Sequence, residues 1–233
     1  MSQKYKVFFF GNVLVFTDSP ELHRKTTIIY KYSGVDALKD FLFGYVEKCN
    51  NHHIRILCDN KEQCWADFCS LFEVRRAAGG LVVNDSGNYL FIRRQGKWDI
   101  PKGHIEPGEQ SRECAVREVT EECGVGGLEI ERAICTTYHT YYIGSQPILK
   151  STDWYLMRCS GTPELTPQTD EDITQAVWVA PSDVDNLLKD SFSSIPEVIK
   201  QLGAIAVRAL IGTSSDRSSL GLFFIAGFHP FGL

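Results

Sequence analysis

Several things are missing from this 233-residue chain, and each absence removes a class of protein. No stretch is apolar enough to span a bilayer: GLFFIAGF, near the C-terminus, is about half of what a spanning helix needs. No secretory leader is expected either, because VFFF follows Lys4 and Lys6 but breaks at Gly11 and Asn12 without a small-residue cleavage site. Basic residues are outnumbered, 24 Lys and Arg against 29 Asp and Glu, so a broad nucleic-acid-binding face is not expected. The eight cysteines form no CxxC pair, which leaves a zinc site without support in spacing. They are scattered, several within apolar patterns, and read as reduced, buried thiols of a cytoplasmic protein. There is no internal repeat. With 43% hydrophobic and 23% charged residues, the composition is that of an ordinary globular protein.

The organisation that remains is α+β in two parts and a tail. In residues 1–73, KVFFF and VLVFT read as strands, with Gly11-Asn12 as a hairpin turn signal. Val35, Leu38, Phe41, Leu42, Tyr45 and Val46 recur at helical spacing. IRILC (54–58) reads as a buried strand and Lys61–Phe72 as a second helix. This is a small α/β N-terminal module, with balanced charge and no helix-turn-helix pattern.

A second pattern covers 74–212. AAGGLVV and YLFIRR are strands joined by a turn at Asn84–Asn88, followed by the loop WDIPKGHIEPGE. A helix is expected from Ser111 to Cys123, closed by Gly124 as C-cap. Strands follow near 133–142, 154–159 and 176–179, then helices near 181–189 and 195–210. The tail 213–233 is apolar beyond a TSSDRSS linker, and its role is open.

The chemistry concentrates in GHIEPGEQSRECAVREVTEECGV, Gly103 to Val125. Glu118, Glu121 and Glu122 stand at i, i+3 and i+4, so they share one helix face, while Ala115 and Val119 lie on another and can anchor the helix to a sheet. Three carboxylates so close repel one another unless cations compensate. Arg117 is one source, and a hard divalent metal with oxygen ligands is another. The loop before the helix adds backbone groups at Gly103 and a fourth carboxylate at Glu109. A Glu-rich helix face is most often just solvated; the whole spacing argues against that here.

A glycine, five residues, Glu, seven residues, Arg-Glu, an apolar residue, any residue, Glu-Glu, any residue, Gly and an apolar residue make up the Nudix box, and every fixed position is met. The chain therefore resembles a Nudix hydrolase from about Val74 to Gly212. That resemblance implies an α/β/α sandwich with a mixed sheet, and cleavage of a diphosphate linkage by water with Mg²⁺ or Mn²⁺. It implies that Glu118, Glu121 and Glu122, with the Gly103 carbonyl, hold the metal, that Arg117 orients a glutamate, and that Glu109 supports the loop. The base is open among Glu118, Glu121 and a carboxylate outside the box, for which Glu171 is the candidate.

Flanking residues bear on the substrate. Arg75, Arg76, Arg93, Arg94, Lys97 and Lys102 lead to the box, and alternation along a strand lets at most one of Arg93 and Arg94 face inward. Lys102, beside Gly103, and Arg94 are the substrate-binding candidates. WDIPKGHIEPGE resembles the branch that handles diadenosine and diphosphoinositol polyphosphates. Tyr141, 16 residues past Val125 (141 − 125), could stack on a nucleobase, and Lys150 ahead of DWYL resembles a feature of the same branch. The marks of ADP-ribose and NADH enzymes fit less well. The expected partner is a nucleoside polyphosphate or related small diphosphate, with no membrane, and with a homodimer allowed. The competing reading is a nucleotide sensor that signals through the N-terminal module.

Overall fold

The computed structural model describes residues 5–19 and 28–212, with side chains described through residue 204. The apolar tail lies outside the described residues. In chain order the elements are β1 (Tyr5–Phe9), β2 (Asn12–Thr17), β3 (Ile28–Lys31), α1 (Val35–Lys39), β4 (His53–Leu57), α2 (Lys61–Ser70), β5 (Glu73–Val83), β6 (Tyr89–Arg94), β7 (Lys97–Asp99), β8 (Lys102–His104), α3 (Ser111–Cys123), β9 (Glu129–Ile143), β10 (Gln146–Arg158), β11 (Ile173–Val179), α4 (Val184–Leu187) and α5 (Ile195–Gly212). They fall into two compact units. Among the described residues, those up to Arg76 group with Thr137–Ser151, and Ala77–Thr136 groups with the described residues from Thr152 onward.

In the first unit β1 and β2 pair antiparallel, β4 lies parallel to both β2 and β3, and β1 runs parallel to β9 at Tyr138–Thr140. Alternate residues Val7, Phe9, Leu14, Phe16, Ile54 and Ile56 point to one face and bury against Leu38, Leu42, Val46, Cys64 and Phe68. The expected hairpin turn is displaced by one residue. Phe10 and Gly11 are the turn residues, both at positive φ, and Asn12 belongs to β2. Asn12 is buried because its amide donates to the Val46 and Cys49 carbonyls at 3.1 and 2.8 Å, while its oxygen accepts from His52 N at 3.0 Å. The helix expected over 34–49 is α1 followed by a wider turn at Asp40–Tyr45 and a tighter one at Val46–Lys48.

The second unit has the strand order β11-β6-β5-β10-β9, with β7 on β6 and β8 on β5. Its strands are buried on both faces, as the alternation shows residue by residue. Ala78, Val82, Leu90, Ile92, Tyr155 and Met157 pack against Ala115, Val119 and Cys123 of α3. Their neighbours Leu81, Phe91, Trp154 and Leu156 pack on the other side against Val184, Leu187, Ile195, Val198 and Ile199. The result is helix, sheet, helix: the α/β/α sandwich expected from the sequence. Helix α3 is fixed at both ends. A Gln110–Glu113 capping box opens it, and Ser111 Oγ donates to Asp153 Oδ2 at 2.8 Å. Gly124, at φ 71, closes it, and the Thr166 and Gln168 amides take the Cys123 and Glu122 carbonyls at 2.9 and 3.0 Å.

The stretch from Trp98, read from sequence as loop, contains most of the short strand β7 and all of β8. The second is held on β5 by two glycines. Gly80 N donates to the Pro101 carbonyl at 3.1 Å. A Cβ at Gly79 would stand 2.3 Å from that same oxygen and 2.6 Å from Lys102 Cβ. Gly79→Ala is therefore expected to lower stability by about 1–3 kcal/mol in urea unfolding, by forcing β8 away from β5. An unchanged midpoint would show that this backbone approach is not tight.

Candidate active site

The floor of the site is the face of α3 that turns towards β8. Ala115, Val119 and Cys123 are buried against the sheet, and this rotation leaves Glu118 and Glu122 at the sheet's edge, 7% and 0% exposed. Glu121 stands on the outer shoulder with its side chain half exposed. Gly103 lies opposite, where a Cβ would fall 1.9 Å from Glu118 Oε2, so only glycine lets the β8 backbone come this near the carboxylate.

One guanidinium bonds to three of the four carboxylates. Arg117 Nε and Nη2 donate to the two oxygens of Glu109 at 2.7 and 3.0 Å, a bidentate pair. Nη1 donates to Glu118 Oε1 at 2.8 Å and to Glu121 Oε2 at 2.9 Å, and Nη2 also reaches the His104 carbonyl at 3.0 Å. These bonds pull the Glu109 carboxyl down to about 2 and hold the Arg117 guanidinium firmly protonated. Burial pushes Glu118 up, with Arg117 opposing.

Glu122 is placed differently. Its Oε2 accepts from the Lys102 backbone N–H at 2.9 Å. Its Oε1 is buried without a hydrogen bond, with the Arg94 guanidinium 3.7 Å away. Burial raises this carboxyl to about 7, against the pull of Lys102 and Arg94. Arg94 also faces Glu171 Oε2 at 3.6 Å, on the turn that precedes β11. Asp172, just after it, sits at φ 61, and the β11–β6 register shifts between Ile173 and Gln175. A local irregularity of this kind re-aims side chains at a sheet edge. Arg93 faces the other way, to Asp190 at 3.1 Å and over the Trp98 ring, so one arginine of the pair faces the carboxylates, as alternation requires.

Among the described residues no three His, Cys, Asp or Glu side chains already stand as a metal cage. Glu118 and Glu121 are instead bonded to Arg117. The donor set nevertheless suits a hard divalent cation: an orphaned buried carboxylate oxygen on Glu122, the Glu118 carboxylate, and a glycine cradle opposite it at Gly103.

Of the residues singled out from sequence, Gly103, Glu109, Arg117, Glu118, Glu121, Glu122, Lys102, Arg94 and Glu171 all lie in the second unit and are linked by these contacts. Tyr141 and Lys150 belong to the first unit, on β9 and β10. Two neighbours of the cluster were not singled out. Asp99, 3% exposed, pairs with the Lys102 ammonium and accepts from Ile100 N at 2.8 Å. Its position three residues before Lys102 in WDIPKG was the available signal. Cys114 is buried, its thiol 3.4 Å from the His104 carbonyl and pushed up to about 12 by burial. Nothing in its sequence surroundings marked it.

The folded sandwich and its carboxylate helix with a Gly103–Glu109–Arg117 loop define a Nudix-type site. The NUDIX domain profile matches residues 73–202, more than half of the chain, and the chain belongs to the Nudix hydrolase family. It is similar to MutT4 of Mycobacterium tuberculosis, 34% identical over 114 residues, covering 44% of this chain and 45% of that protein. The chain thus aligns with less than half the length of that relative. It is also similar to the RNA pyrophosphohydrolase of Erythrobacter litoralis, 26% identical over 132 residues, 49% of this chain and 80% of that one. Among solved structures, a C. elegans Ap4A hydrolase covers 57% of this chain and 98% of its own, at 20% identity and TM-score 0.46. Among the described residues no helix is long and apolar enough to cross a membrane.

The raised Glu122 carboxyl has a consequence for stability. Its folded value of about 7 exceeds the ordinary 4.5, so the folded state binds the extra proton between them. This contribution is fully present below 4.5 and is lost as pH rises through 7. In urea unfolding with EDTA, the stability of wild type relative to Glu122→Gln is expected to increase as pH falls from about 8 to about 5. A difference independent of pH would contradict the burial argument.

Proposed function

We propose that this chain is a divalent-metal-dependent pyrophosphohydrolase of the cytoplasm that cleaves the diphosphate linkage of a nucleoside polyphosphate, with diadenosine polyphosphates as the leading class. The observation that carries the reading is the unsatisfied, buried Glu122 Oε1 beside Glu118 and the Gly103 cradle. A buried carboxylate oxygen without a hydrogen bond is costly, and a cation bound directly to it would remove that cost. All eight cysteines are free thiols, in keeping with a reducing compartment.

In this reading Glu118, Glu121, Glu122 and the Gly103 carbonyl hold Mg²⁺ or Mn²⁺. When bound, the cation neutralises diphosphate oxygens and acidifies the attacking water. Glu109 locks Arg117, and Arg117 in turn sets the orientation of Glu118 and Glu121. Lys102 and Arg94 bind phosphate oxygens. Glu171, with a side chain 43% exposed and facing Arg94, accepts the proton of the attacking water on its carboxylate. The catalytic segment is 74–212, with 1–73 as an accessory module.

A second reading is favoured by the similarity to an RNA pyrophosphohydrolase: the polyphosphate end of an RNA as substrate. A panel with Mg²⁺ or Mn²⁺ separates the two. It holds diadenosine tetraphosphate, ADP-ribose, NADH, nucleoside triphosphates, a diphosphoinositol polyphosphate and a 5′-triphosphate RNA. Metal-dependent cleavage of diadenosine tetraphosphate, reduced about 10³-fold or more in Glu121→Gln with the melting temperature kept, is the expected result. Turnover of none of these compounds, with nucleotide binding insensitive to EDTA, would replace the enzyme reading by that of a sensor.

A further inference from the structure

The chain from Asp99 to Gly103 is held at every residue that could move its lysine. Gly80 N binds the Pro101 carbonyl at 3.1 Å, Lys102 N binds Glu122 Oε2 at 2.9 Å, and β5 approaches too closely at Gly79 to admit a side chain. The backbone of Lys102 is thus fixed, while its side chain is a flexible four-carbon stem. What fixes the stem is Asp99. Its carboxylate is 3% exposed, with Oδ1 accepting from Ile100 N at 2.8 Å and Oδ2 paired with the Lys102 ammonium, whose side chain is 14% exposed. Both oxygens of Asp99 thus have a partner within the chain.

A buried carboxylate that holds a lysine costs desolvation, and packing alone would be served as well by an apolar pair. Without Asp99, a carboxylate left to draw the ammonium is Glu122, whose charge already interacts with Lys102. The ammonium would then turn inward onto the oxygen left for a cation, and away from an incoming phosphate.

We propose that Asp99 is a positioning residue of the reaction: it holds the Lys102 ammonium at the edge of the carboxylate cluster, oriented for the polyphosphate, without touching substrate itself. The inference rests on the reading of Lys102 as a phosphate ligand. Pre-organising a flexible cation removes an ordering cost at binding, so the effect belongs in KM more than in kcat.

The test is a double-mutant cycle of Asp99→Asn and Lys102→Ala, with diadenosine tetraphosphate and Mg²⁺ on the full chain, and with melting temperatures alongside. Each single variant is expected to raise KM about tenfold, with kcat changed less than about threefold, and the double variant to match Lys102→Ala alone. Asp99→Glu, which keeps the charge but displaces it by one methylene, is expected to raise KM less than Asp99→Asn, and it carries the test if Asp99→Asn does not fold. Additive effects, or a loss confined to kcat and melting temperature, would overturn the role of Asp99 while leaving Lys102 as a ligand. An unchanged KM in Lys102→Ala would instead overturn the reading of Lys102 on which this inference stands.

Discussion

Three glutamates within one and a half turns of a helix repel one another, and the arrangement of the site follows from how that repulsion is relieved. Arg117 relieves part of it, by bonding to Glu109, Glu118 and Glu121 together. Its reach stops short of Glu122, which is completely buried and keeps one oxygen without a hydrogen bond, with the Arg94 guanidinium 3.7 Å away. In a low-dielectric setting a charge in that state is expensive, and the carboxyl is accordingly pushed towards its neutral form. This cost at Glu122 is the link between the electrostatics of the site and its proposed chemistry.

Close backbone approach is the second constraint. Gly79 admits Pro101 and Lys102 to β5, and Gly103 admits Glu118 to β8. The glycines therefore act in series, setting β8 against the sheet and then the carboxylate against β8. The orientation of α3 depends on both faces of the unit. Its apolar side is fixed by Ala78, Val82, Leu90, Ile92, Tyr155 and Met157, and its ends by the Ser111–Asp153 bond and the loop that caps Cys123 and Glu122. With backbone and helix both held, the side chains of Arg117 and Lys102 are the parts left to be placed, and Glu109 and Asp99 place them.

Much of this was legible in the sequence, because it depends on local spacing. The span of α3, its Gly124 cap, the shared face of the glutamates and the opposite orientations of Arg93 and Arg94 all follow from helical and strand periods. What escaped depends on contacts distant in sequence. The strands β7 and β8 are three residues each, too short for a period to register, and exist because β6 and β5 pair with them. Asn12 looked like a turn residue, yet it is a strand residue whose amide finds carbonyls more than thirty positions away. The assignment of 137–151 to the first unit follows from the pairing of β1 with β9, which no local pattern encodes.

The central claim is that Glu122, Glu118 and the Gly103 carbonyl form a divalent-cation site. Crystals grown with Mn²⁺ and measured for anomalous scattering test it most directly. The account predicts Mn²⁺ within coordination distance of Glu122 Oε1, Glu118 and the Gly103 carbonyl, with the Arg94 guanidinium displaced from Glu122. Mn²⁺ bound elsewhere, or Glu122 still facing only Arg94 at saturating Mn²⁺, would contradict it.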